Sequence, residues 1–116
     1  MLKIKANPTF LAKVMITVAG ESTPAVVDVV FRHKSAKAMA DWWKDAAKKP
    51  VAAALNEIIV SINGLHDEQG NAVAYSEAAL IQFLDEYHTA GAELLDAYFQ
   101  ELTESRAKNF GKPSST

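Results

Sequence analysis

The residues of this chain with the most chemical potential are its three histidines, its clustered carboxylates and its run of cations around two tryptophans. His33, His66 and His88 form no HxxxH or HxH pair, so no two of them share a helix face or a strand face as metal ligands. His66 has Asp67 and Glu68 beside it, but adjacent loop residues rarely converge on one ion. The run Asp67-Glu68-Gln69-Gly70-Asn71 lacks the alternating acidic ligands and the distal Glu of a calcium loop. Asp85 with Glu86, and Glu93 with Asp96, are carboxylate pairs of the kind general acid–base chemistry uses, yet they sit where exposed helix faces carry solvating charge. No glycine-rich phosphate loop and no nucleophile elbow is present, and no serine has an identifiable activating base. The residues therefore call for no catalytic centre, no metal and no cofactor.

Binding chemistry is better represented. Arg32, His33, Lys34, Lys37, Lys44, Lys48 and Lys49 surround Trp42 and Trp43. Cations with stacking aromatics are the ingredients of a nucleic-acid surface. With so few aromatics and a net charge of −2, a solvated helix face with core tryptophans is the better reading, and nucleic acid is disfavoured as a partner. Neighbouring residues on a helix project about 100° apart. One tryptophan can thus occupy the core while the other lies at its margin, where tryptophan is favoured in protein contacts.

The charge is unevenly spread. Residues 1–50 carry nine Lys/Arg and four Asp/Glu, a net +5, whereas residues 51–116 carry three and ten, a net −7. The two halves either face each other within one molecule or meet head to tail between copies, which would make a homo-oligomer. At 116 residues and 49% hydrophobic the chain has the size of one domain with a real core. It has no cysteine, no apolar run of membrane-spanning length and no signal-peptide pattern in MLKIKANP, so the expectation is an intracellular protein without a membrane or a small-molecule substrate as partner.

These residues need elements to hold them. Leu2 and Ile4 alternate with lysines, as a short edge strand or an arm would. Thr9–Val18 alternates strictly, with Phe10, Ala12, Val14 and Ile16 on one face, and Ala25–Arg32 repeats the pattern. The two predict an antiparallel hairpin, each strand of which has an edge to protect; Lys13 and Asp28 are placed to do so. At Ser35 the hydrophobic period changes, and a helix follows to about Lys48 with Ser35 as N-cap. A second helix is expected over Pro50–Asn63, with Leu55, Ile58, Ile59 and Ile62 as its stripe and Asn63-Gly64 as its end. After the polar loop Leu65–Ala74, Ser76 caps a third helix running to about His88, and Thr89 opens a fourth. The fold class is α+β: an N-terminal antiparallel β-hairpin, with room for a third short strand, packed on about four α-helices. Residues 1–107 form the single domain and 108–116 a flexible tail.

The order and spacing of these segments resemble the tail assembly chaperones of long-tailed bacteriophages and prophages. The likeness is carried by PTF at Pro8–Phe10, VVFRHKSAKAM at Val29–Met39, SINGL at Ser61–Leu65, HDEQGNAVAYSEAAL at His66–Leu80, FLDEYHTAGAELLDAYFQEL at Phe83–Leu102 and KNF at Lys108–Phe110. The resemblance implies a non-enzymatic protein that binds the tape measure protein, keeps it soluble and recruits tail tube subunits. It also implies action in the bacterial cytoplasm and departure before the virion is complete. In many relatives a programmed frameshift yields a longer form, and Gly111-Lys112 is compatible with a slippery run of G followed by A. The candidate protein-interaction residues are Arg32, Trp42, Trp43, Lys44, Lys48 and Phe110. The alternatives are a structural component of the tail or head–tail connector, and a small nucleic-acid-binding regulator.

Overall fold

In a computed structural model that describes residues 2–103, the chain forms three strands and four helices in the order β1 (Thr9–Ile16), β2 (Ala25–Arg32), α1 (Ala36–Ala46), α2 (Val51–Asn56), β3 (Ile59–Asn63), α3 (Glu77–Glu86) and α4 (Ala90–Thr103). The strands make one antiparallel sheet in the order β1-β2-β3. The hairpin register pairs Thr9 with Arg32 at one end and Ile16 with Ala25 at the other. Strict alternation puts Ala12, Val14 and Ile16 of β1, and Val27, Val29 and Phe31 of β2, on one buried face. The helices cover that face and no other: Trp42, Leu55, Leu80, Leu94 and Tyr98 close the same core.

The α+β architecture and the hairpin are as expected, and the sheet has a third strand. It lies elsewhere than the arm at Leu2–Lys5, which forms no strand and leaves Leu2 and Ile4 exposed. The helix expected over Pro50–Asn63 ends at Asn56, and Ile59–Asn63 is β3. The spacing of Leu55, Ile58, Ile59 and Ile62 looked helical because a bulge lies in this pairing. The register shifts between Val30 and Phe31, so Phe31 faces Ile59 while Val30 faces Ser61. The extra residue, Val60, is pushed out, and Ile59 and Ile62 both turn inward despite their odd separation. Runs of β-branched residues favour the strand over a continued helix. As a consequence β2 is the central strand, not an edge, and cannot pair with an outside strand as the hairpin alone implied.

Local signals in the other segments are realised. The Ser35 hydroxyl accepts from the Ala38 amide at 3.1 Å, and the Ser76 hydroxyl from the Ala79 amide at 3.0 Å. Gly64, at φ +110°, turns the chain out of β3; a side chain there would sit in the left-handed region against Val26 and Val27. The loop that follows is a tight hairpin-like turn. Val73 donates to the Leu65 carbonyl, and the Asp67 carboxylate accepts from the amides of Gln69 and Asn71, both at 2.9 Å.

Candidate interaction surface

The two tryptophans of α1 divide as their 100° separation requires. Trp42 is buried, and its indole N–H donates to the Ala54 carbonyl at 3.2 Å, which ties α1 to α2. Trp42 also meets the Tyr98 ring edge-on at 6.3 Å. Trp43 is 54% exposed and leans edge-on against Phe99 of α4, ring centroids 5.6 Å apart.

Beside Trp43 the four helices leave an apolar groove of about 530 Å³. Its floor is Ala54 and Leu55 of α2, both buried. Leu84 of α3 and Leu95 of α4 line its sides, and its rim is Trp43, His88 and Val51, the last 61% exposed. Small residues keep it open: Ala46 and Ala47 at the end of α1, and Gly91 and Ala92 at the start of α4. A methyl group on Gly91 would stand 3.4 Å from Val51 Cγ1 and 3.8 Å from Leu84 Cδ2, so the absence of a side chain there is part of the groove's width. Sequence reading missed Val51, Leu84, Gly91 and Leu95 as surface residues. The signal was available only in part: their apolar character read as core, and nothing in the spacing says that the core stops short of them.

The cations do not gather into one face. Arg32 alternates to the side of the sheet that carries no helix, whereas Lys44 and Lys48 lie on or just after α1. Three other lysines are committed to acids: Lys13 to Asp28 at 3.0 Å, Lys37 to Asp41 at 3.4 Å, and Lys49 to Asp45 at 2.8 Å and to Glu57. The Lys49 ammonium, hydrogen-bonded to Asp45, holds that carboxyl below its usual range; Lys49 itself is raised by its bonds to Asp45 and Glu57. Lys44 and Lys48 have no ion-pair partner among the described residues. Phe110 lies outside the described residues, as do the expected domain boundary at 107, the tail 108–116 and Gly111-Lys112.

The contacts between the basic and acidic halves include two at the ends of elements. Lys49 meets Glu57, and the Glu93 carboxylate of α4 accepts from both the amide and the hydroxyl of Thr17, the latter at 2.5 Å. Among the described residues no three His, Cys, Asp or Glu side chains converge as a metal site would need, and no helix is long and apolar enough to cross a membrane. What the arrangement offers is a shaped apolar surface with a polar border, which is the form of a protein-binding groove.

No curated protein and no solved structure gave a match to this chain. A family described as phage tail assembly chaperone matches residues 1–109 of the 116. A match over nearly the whole chain, on a fold that presents an apolar groove, shows the affiliation: the chain belongs to the phage tail assembly chaperone family.

Proposed function

We propose that this protein binds the tape measure protein during tail morphogenesis, keeps it soluble and recruits tail tube subunits to it, acting in the host cytoplasm and leaving before the virion is complete. The observation that supports the reading best is the groove between α1, α2, α3 and α4, in a member of a chaperone family. A long helical client exposes amphipathic surface until tube subunits enclose it. The groove's small-residue sides let a helix backbone approach closely, and Trp43, Val51, Leu84 and Leu95 supply apolar contact. Lys44 and Lys48, with no ion-pair partner among the described residues, lie on the α1 side to meet acidic positions on the client's polar face. Contact of this size gives modest affinity, which suits a chaperone that must let go; several copies along one client hold it by avidity.

Co-expression with the tape measure protein of the same genome tests the reading. The client's soluble fraction rises with this protein present, and a pull-down recovers the pair. A Trp43→Ala/Val51→Asp variant, both positions being solvent-facing, keeps its fold by circular dichroism and loses the rescue. A client that stays insoluble and is not recovered with the wild type sinks the proposal, as does detection of this polypeptide in purified virions for its early departure.

A further inference from the structure

Among the described residues, nothing covers the side of the sheet opposite the helices. Cross-strand partners share a face, so the register arranges that side in rows: Leu11 beside Val30, then Lys13 beside Asp28, then Met15 beside Val26. Leu11, Met15 and Val26 are 60%, 64% and 50% exposed. The Lys13–Asp28 ion pair, at 3.0 Å, lies near the middle of both strands with an apolar row on each side. Exposed apolar rows on an uncovered sheet face mark a contact surface, and these flank opposite charges set side by side.

We propose that this face is an isologous interface between two copies of the chain. A two-fold axis parallel to the strands, running between β1 and β2, sets Lys13 of each copy over Asp28 of the other. The same operation sets Leu11 over Val30 and Met15 over Val26 of the other copy, so every row meets its complement. A two-fold axis across the strands instead sets Lys13 over Lys13 and Asp28 over Asp28. Like charges opposed at a desolvated centre are strongly unfavourable, so charge selects the first arrangement. Sheets packed face to face in this way keep their strands within about 30° of each other. The patch measures roughly 26 by 10 Å from the length and spacing of the two strands, smaller than the ~800 Å² per partner of a standard interface. The dimer is therefore weak, and it turns two helical grooves outward on opposite sides. It stands or falls independently of what those grooves bind.

Sedimentation equilibrium of the full chain reads the dimer directly, with a dissociation constant on the order of 10–100 μM. A protein that stays monomeric into the millimolar range overturns the proposal. Leu11→Glu/Met15→Glu, at positions already facing solvent, weakens association roughly a hundredfold by placing unpaired carboxylates in the contact. Lys44→Glu/Lys48→Glu, on the helical side, leaves the constant unchanged; a loss there locates self-association elsewhere and overturns the proposal. A charge-swapped chain, Lys13→Asp/Asp28→Lys, keeps its internal pair and still forms homodimers. Mixed with isotope-labelled wild type and read by native mass spectrometry, it avoids heterodimers, because Lys then meets Lys and Asp meets Asp. Heterodimers at or above the statistical share overturn the arrangement.

Discussion

Trp42 and Trp43 are adjacent in sequence and opposite in energetic role. Trp42 buries its ring and donates to the Ala54 carbonyl, which also accepts from the Glu57 amide, so Trp42→Phe removes one bond without orphaning the acceptor and costs about 0.5–1.5 kcal/mol, measured by urea denaturation. Trp43→Ala leaves stability much closer to wild type and removes the groove's aromatic rim, so its effect is read in client solubility. Tyr98 is the other pivotal side chain. It is fully buried beneath Phe10 and Phe31, and its O–H donates to the Arg32 carbonyl at 2.8 Å. Burial pushes its pKa up from 10.0 to about 12. The folded state thus holds the phenolic proton more tightly than the unfolded chain. Its contribution is fully present below pH ~10 and is lost between about 10 and 12, as the unfolded chain ionises first. Tyr75, whose O–H donates to Asn56 at 2.6 Å, is raised to about 12, chiefly by burial and then by Glu77, and adds in the same direction. Tyr98→Phe costs about 1–2 kcal/mol at neutral pH and flattens part of this alkaline decline, which denaturation midpoints across pH 8–12 will show.

At the scale of elements, α2 and β3 are the instructive pair. Helix α2 is only six residues, too short to persist alone, and survives because Ala54 and Leu55 are buried beneath α3 and α4. It presents Val51 at the lip of the groove, and Gly91 of α4 faces it. Gly91 is the second residue of α4, so alanine there relieves part of the penalty of up to about 1 kcal/mol that glycine carries in a helix interior. The contacts of an added methyl at Gly91 are of ordinary van der Waals length. Gly91→Ala therefore raises the melting temperature while narrowing the groove, and client rescue falls. Rescue that is unchanged in this stabilised variant would place client binding elsewhere.

For the whole molecule, the sheet separates two surfaces. The helical side carries the groove, and the bare side carries the paired charges of Lys13 and Asp28 within apolar rows. Variants on one side leave the readout of the other untouched: Trp43→Ala/Val51→Asp dimerises normally, and Leu11→Glu/Met15→Glu still contacts client through its groove, with less avidity. Among the described residues one ion pair, Lys49–Glu57, joins the basic and acidic halves of the sequence within the monomer.

The sequence by itself determined whatever local geometry enforces. Strict alternation fixed β1 and β2 and their inward residues, because a strand has a period of two and one face must be buried. Ser35 and Ser76 announced their helix starts because a hydroxyl satisfies amides that the helix leaves free. Only the tertiary structure decided what depends on partners far along the chain. Ile59–Asn63 is a strand because β2 offers an unpaired edge, and the bulge that hides its alternation exists only in that pairing. The groove likewise belongs to no segment: Trp43, Val51, Leu84 and Leu95 come from four helices, and although a tryptophan at the core margin was legible, Leu84 and Leu95 read as ordinary helix stripe. Apolar side chains state that they prefer burial; which of them the fold leaves short of cover is a property of the packed whole.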